Sequence, residues 1–193
     1  MKTNRRTFLR SAAALAAAGS SPFLSFTSFF TDTPVGTFIL KKTGHVVIVQ
    51  RPDALKHNTT IIFDTVYQMV SDGICRLTGY STPQAAWSSL LQSSKKIGIK
   101  VNAMGGRCIC THVELAYAVA RHLTAAGISA ENIIIWDRLS TELEKGGYTV
   151  QKNGSGIKCY GTDSNYESSL ETSGTVGTCF STIIARQCDA LIN

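Results

Sequence analysis

The sequence predicts an α/β fold, a mainly parallel sheet with helices on both faces, and two observations carry that prediction. The first is a pair of short β-branched runs, Ile97 to Val101 and Ile133 to Trp136, with the length and composition of strands buried on both faces. The second is the amphipathic stretch between them, with Leu115, Ala116, Val119, Ala120 and Leu123 as its apolar stripe. Thr111-His112-Val113-Glu114 fits a capping box at its start, in which the Thr111 hydroxyl takes the Glu114 amide, and Gly127 fits the left-handed position after its end. Together these make a βαβ unit at about 97–136, whose crossover is expected to be right-handed.

The chain opens on a different signature. Asn4 to Arg10 reads NRRTFLR and is followed by SAAALAAAGSS, the charged start, short apolar run and small residues of an export signal. Arg5 and Arg6 ahead of Phe8-Leu9 resemble the twin-arginine type. That resemblance implies a periplasmic or otherwise exported location, with the twin-arginine translocation machinery as a partner. Residues 1–30 are therefore expected to be a signal peptide and flexible leader, with a small-residue cleavage site at Ala16-Ala17-Ala18, and 45–193 the folded domain. The apolar part is shorter than the ~20 residues a bilayer span needs, so no transmembrane anchor is expected after signal removal. Proteins on this route are exported folded and often carry a cofactor, which makes an iron-sulfur cluster or a divalent metal candidate cofactors.

At 193 residues, 44% apolar and 17% charged, the chain is long enough to bury a core and is not compositionally disordered. Its formal charge of +6 lies largely in the signal: Lys2, Arg5, Arg6 and Arg10 precede the first acid, Asp32, and without the first 18 residues 15 bases face 13 acids. Binding to nucleic acid is therefore not expected.

In chain order, His45 to Gln50 reads as a first buried strand, ended by Arg51-Pro52-Asp53. Ile61 to Thr78 has apolar residues at helical spacing (Ile62, Val66, Met69, Val70, Ile74, Leu77) and stops at Gly79. Ser81-Thr82-Pro83 opens a second helix through about Ser93, with Trp87, Leu90 and Leu91 facing the core. Beyond the central unit, Ser140 to Lys145 is a short helix closed by Gly146-Gly147, Tyr148 to Val150 reads as a strand, and Gly154-Ser155-Gly156 turns into a strand over Ile157 to Tyr160. Asp163 to Ser173 reads as a polar surface loop, Thr178 to Gln187 as a helix, and Ala190 to Ile192 as a strand.

This topology puts the loop Asn102 to Cys110 at the carboxyl end of its strand and at a helix N-terminus, where open α/β sheets bind ligands and where free amides favour an anion. Lys100, Asn102, Arg107, Thr111, His112, Asp137 and Arg138 are candidates for binding a small anionic ligand there, with Asn193 at the end of a neighbouring strand. Gly105-Gly106 matches neither GxxxxGK[ST] nor GxGxxG. Cys108, Cys110 and His112 bring two thiols and an imidazole within five residues and could hold part of a metal or iron-sulfur site, although a fourth ligand is missing. The six cysteines are even in number, but a chain of this size with its own core does not need disulfides. His122, in the last helical turn, reads as structural.

Five separated segments, IGIKVNAMGG, THVELAYAVARHL, NIIIWDR, KCYGTD and CDALIN, resemble in order the DUF362 family, a domain family of unknown function. The resemblance covers about 45–193 and implies an α/β domain of the cell envelope, many exported members having a twin-arginine signal. In the family the last segment continues into V-P-x-x-K-x-H, so the expectation is a chain truncated within its domain. The family's iron-sulfur association comes from a separate ferredoxin-like cysteine cluster, which this sequence lacks. The functional expectation is an exported protein that binds a cofactor, metal or small anion at 102–112, whether as part of an enzyme or as a non-catalytic accessory protein; the other alternative is a non-functional fragment.

Overall fold

The computed structural model describes residues 46–57, 60–91 and 96–193. The expected signal and leader over 1–30, His45, and the end of the second expected helix lie outside the described residues. In chain order the elements are β1 Leu55–Lys56, β2 Thr60–Ile61, α1 Phe63–Thr78, α2 Pro83–Leu90, β3 Ile97–Lys100 and α3 Val113–Ala125. They continue with β4 Ile133–Asp137, α4 Ser140–Gly146, β5 Lys158–Gly161, β6 Glu171–Ser173, β7 Val176–Thr178 and β8 Ala190–Ile192. The fold is α/β: its main sheet has four strands in the order β5-β4-β3-β8, every neighbouring pair parallel.

The β-branched runs form the sheet's centre because isoleucines can be buried on both of its faces. Ile97, Ile99, Ile133 and Ile135 pack with Ala116, Ala120 and Leu123 of α3, and with Trp87 of α2 and Leu143 of α4. Burying each such side chain contributes about 1.5–3 kcal/mol. On the opposite face Ile134, Trp136 and Tyr160 pack with Ile183, from a π-helical turn over Ile183–Gln187. Val150, Ile184 and Cys188 pack beside it, so this face is covered by the helical turn and its neighbours.

Helix ends follow the glycines. Gly79 and Gly147 close α1 and α4 in the left-handed region, at φ 81° and 93°, and Gly127 follows α3 at φ 97°. At the start of α2 the Thr82 hydroxyl accepts from the Ala85 amide at 3.3 Å, with Pro83 in the first helical position.

Elsewhere long-range partners override local signals. Val46 to Gln50 is not a strand: Val46 and Ile48 are 77% and 76% exposed, while Val49 lies against α1 at Gly73. Its β-branched residues favour extended backbone but cannot supply a neighbouring strand. Tyr148 to Val150 also forms no strand; Gln151 makes a single antiparallel bridge with Cys159, and the next outward amide of β5, Gly161, donates to Ser140 Oγ instead. The expected helix over Thr178 to Gln187 shrinks to the π-helical turn because Phe180 and Thr182 hydrogen-bond with Glu167 and Asn165, and Thr178 ends β7. The expected loop Asp163 to Ser173 accordingly holds part of that pairing and β6. Leu115 is 42% exposed, because the buried stripe of α3 runs through Ala116, Ala120 and Leu123, turned away from it.

Two glycines set how closely layers approach. A Cβ on Gly161 would lie 2.2 Å from the Ser140 amide nitrogen and 2.4 Å from the Leu139 carbonyl carbon, whereas one on Gly98 would meet side-chain atoms of Cys188, Leu191 and Trp136 at 2.7–3.0 Å. Backbone cannot step aside as side chains can. Gly161→Ala is therefore expected to cost about 3 kcal/mol and Gly98→Ala about 1–2 kcal/mol. Thermal melts of the two variants check this, and the opposite order of melting temperatures would contradict the packing account.

Candidate functional site

The carboxyl edge of the sheet is organised by Asp137, at the end of β4. It is 5% exposed, and its Oδ1 accepts from Lys100 Nζ at 2.6 Å and from the Arg138 amide at 2.7 Å. Its Oδ2 accepts from the Ala103 amide at 2.6 Å. Lys100 also donates to the Val101 carbonyl at 2.6 Å and stands over the Trp136 ring, 5.7 Å from its centroid. Burial alone would raise the Asp137 carboxyl, but the Lys100 ammonium and the two amides outweigh it and hold the group below its ordinary value. Lys100 and Asp137 thus engage one another.

The loop after β3 is closed by Thr111 and Asn102. The Asn102 carbonyl accepts from the Thr111 amide at 2.7 Å, the Asn102 amide donates to Thr111 Oγ1 at 3.0 Å, and Asn102 Oδ1 takes the Met104 amide at 3.2 Å. Tyr148 Oη donates to the Thr111 carbonyl at 2.8 Å. The expected capping box is consequently absent: the N-cap of α3 is His112, whose side chain makes no capping hydrogen bond, and the Thr111 hydroxyl serves the loop. The first amides of a helix have no acceptor within it, so the start of α3 keeps unsatisfied donors and the positive end of the dipole.

That helix start borders a half-open cleft of ≈ 300 Å³ lined by Arg107, His112, Val113, Glu114, Gly146 and, from β2, Thr60 and Ile61. Of the anion-binding candidates, only Arg107 and His112 line it. The other anion-binding candidates lie elsewhere. Lys100 and Asp137 form the ion pair, Asn102 and Thr111 hold the loop, and Arg138 pairs with Glu142 one turn along α4. Asn193 is exposed and follows β8 beside the Lys100 end of β3.

The proposed metal ligands do not converge. Cys110 is buried with its thiol 3.6 Å from the Gly146 carbonyl, whereas Cys108 and His112 are exposed. Among the described residues no group of three His, Cys, Asp or Glu side chains could hold a metal ion. All six cysteines are unpaired, and burial pushes the thiols of Cys159 and Cys188 up to about 12 and about 11, so neither is a ready thiolate.

The structure adds residues that sequence reasoning passed over. Glu114, read as half of the capping box, lines the cleft instead. Asp163, read as the start of a surface loop, accepts from the Ser140 amide and hydroxyl, both at 2.8 Å, and so anchors the start of α4. No local spacing signals a contact between residues so far apart in the chain.

Asp137→Ala leaves the Lys100 ammonium and two amides without their acceptor, and should cost about 3 kcal/mol in chemical denaturation. Because the folded carboxyl holds its proton less tightly than the unfolded one, its stabilisation is complete above about pH 4 and is lost on further acidification. Asp137→Asn should therefore flatten the stability profile below that pH; an unchanged acid limb would contradict the pairing.

No helix among the described residues is long and apolar enough to cross a membrane. Compared with protein-family models, with curated proteins and with solved structures, the chain matches none.

Proposed function

We propose that this chain is an exported, DUF362-like protein that binds a small anionic ligand in the cleft at the start of α3. The observation that carries the reading is the meeting of an uncapped helix start with the Arg107 side chain in one cleft of ≈ 300 Å³. Backbone amides at a helix N-terminus favour a carboxylate or phosphate oxygen, and a guanidinium adds a planar, charged donor pair. His112 contributes an imidazole that can donate to the ligand. Glu114 on the same lining limits the positive potential and favours a ligand of single negative charge.

The export part of the proposal rests on Arg5-Arg6 and the apolar, small-residue run that follows them. The family part rests on the five ordered segments from IGIKVNAMGG to CDALIN. The proposed activity is capture of the ligand, with Asp137 holding the loop that bears Arg107. No step is assigned to a metal or cluster, since Cys108, Cys110 and His112 do not form a ligand set.

Calorimetric titration with small carboxylates, phosphate monoesters and methanesulfonate tests the site. At least one should bind saturably, and Arg107→Met should weaken it about tenfold, ~1.4 kcal/mol. Absence of binding across that panel, or an Arg107→Met variant that binds as before, would overturn the reading. Export is checked separately: replacing both Arg5 and Arg6 with Lys should leave the uncleaved precursor in the cytoplasm of a host with the twin-arginine machinery.

A further inference from the structure

Helix α1 lies against α3, and a buried imidazole joins them. His122 is 1% exposed, and its ring stacks on Tyr67 with centroids 3.9 Å apart and planes within 5°. His122 Nε2 is 2.9 Å from the Tyr67 carbonyl oxygen. A carbonyl can only accept, so Nε2 carries the hydrogen and Nδ1 is the bare nitrogen of a neutral ring. That Nδ1 is buried and has no hydrogen-bond partner among the described residues. A proton arriving there would create a buried N–H without an acceptor and a charge with no counter-ion.

The surroundings make this worse. Arg121, the neighbouring residue on α3, holds its guanidinium 5.1 Å from the Tyr67 ring and 5.8 Å from the Phe63 ring, and its charge has the same sign as a protonated His122. From α1, Tyr67 contributes its ring and carbonyl, while Asp64, Asp72, Cys75 and Arg76 make no hydrogen bond or ion pair with His122 among the described residues. Helix α2, the other helix packed on α3, has no titratable side chain, and in the strands beneath α3 Lys100 and Asp137 are engaged with one another. Burial lowers the proton affinity of the ring; the Tyr67 carbonyl offsets part of that, and Arg121 adds a smaller lowering.

The same two helices carry the two sides of the cleft. Thr60 and Ile61 run directly into α1 through Ile62, while His112, Val113 and Glu114 are the N-cap and first turn of α3. Whatever shifts α1 along or away from α3 therefore shifts one wall of the cleft against the other.

We propose that the stacked, hydrogen-bonded contact between His122 and Tyr67 is an acid-sensitive latch between α1 and α3 that sets the geometry of the cleft, an inference that rests on the binding reading only for its consequence on a ligand. The neutral ring closes the latch. Since the folded protein binds this proton less readily than the unfolded chain, the stabilisation is complete above the ordinary imidazole value of about 6.5 and is lost as the pH falls below it.

The latch is tested without ligand, on the full chain. Nuclear magnetic resonance of the His122 ring should show a neutral Nε2–H tautomer at pH 7 that titrates below the ordinary value. Hydrogen exchange of α1 amides, corrected for the intrinsic rate, should accelerate about tenfold between pH 7 and pH 5. His122→Phe keeps a stacked ring and removes the titration, so its melting temperature should fall by ~5 °C less than that of the wild type over the same interval. A His122 ring that titrates at or above about 6.5, or exchange in α1 that stays constant, would overturn the latch even if the variant fails to fold. Methanesulfonate, a monoanion whose charge is constant over this range, is then titrated at pH 7 and pH 5. Weaker binding at pH 5 in the wild type and not in His122→Phe supports the coupling. Equal pH dependence in the two proteins overturns the coupling alone, and no binding at either pH, with the resonance and exchange results intact, overturns the binding reading and leaves the latch standing.

Discussion

The carboxylate of Asp137 is the interaction on which the functional edge of this fold depends. It accepts from the ammonium of Lys100 at the end of β3, from the amide of Ala103 just beyond it, and from the amide of Arg138 at the end of β4. Two parallel strands diverge naturally at their ends, and the loop between β3 and α3 would otherwise leave the sheet with its backbone groups unpaired. Three donors on one buried oxygen pair hold it down. From there Asn102 and Thr111 close the loop, and Arg107 and His112 are carried to the cleft. The charge pair is thus a fastening of the site, with Lys100 and Asp137 engaged by one another.

What the sequence made legible is what short-range rules govern. The isoleucines of β3 and β4 announce buried strands by composition, and Gly79, Gly127 and Gly147 mark helix ends because they sit where φ is positive. The failures have a common origin in groups that found partners far along the chain. Val46 to Gln50 has strand chemistry without a strand beside it among the described residues. Thr178 to Gln187 has helical spacing, but its amides and carbonyls pair with Asn165 and Glu167. Thr111 has the right spacing to Glu114 for a capping box, yet an amide nine residues back takes its hydroxyl. Of the candidate site, the loop and its two lining side chains were visible in advance, whereas Thr60 and Ile61 were not, since nothing local tells β2 that it will face α3.

The crowding of Cys108, Cys110 and His112 shows why spacing is a weak guide to metal sites. Thiols two residues apart point in related directions only if the backbone between them is suitably turned. Here Cys110 is drawn inward against the Gly146 carbonyl, in the packing that also buries Gly146 and Tyr148 beneath the loop, while Cys108 stays on the surface. A thiol that serves as a small apolar group in a core cannot also coordinate at the surface without unpacking it.

The start of α3 carries the opposite lesson. A helix N-terminus without a side-chain cap gives up about 1 kcal/mol relative to one capped by Ser, Thr or Asp, and this chain has a Thr one residue too early to supply the bond. Moving the helix start back to Thr111 would recover it, but the Thr111 amide and hydroxyl would then leave Asn102, and the loop would lose its closure. Local helix stability and loop geometry therefore compete for one residue, and the loop wins. The consequence is an open set of donors at a helix end that borders a cleft and an arginine. Conflicts between local rules and the global fold concentrate at functional sites, and the energy left unclaimed by a cap is available to a ligand that brings its own oxygen.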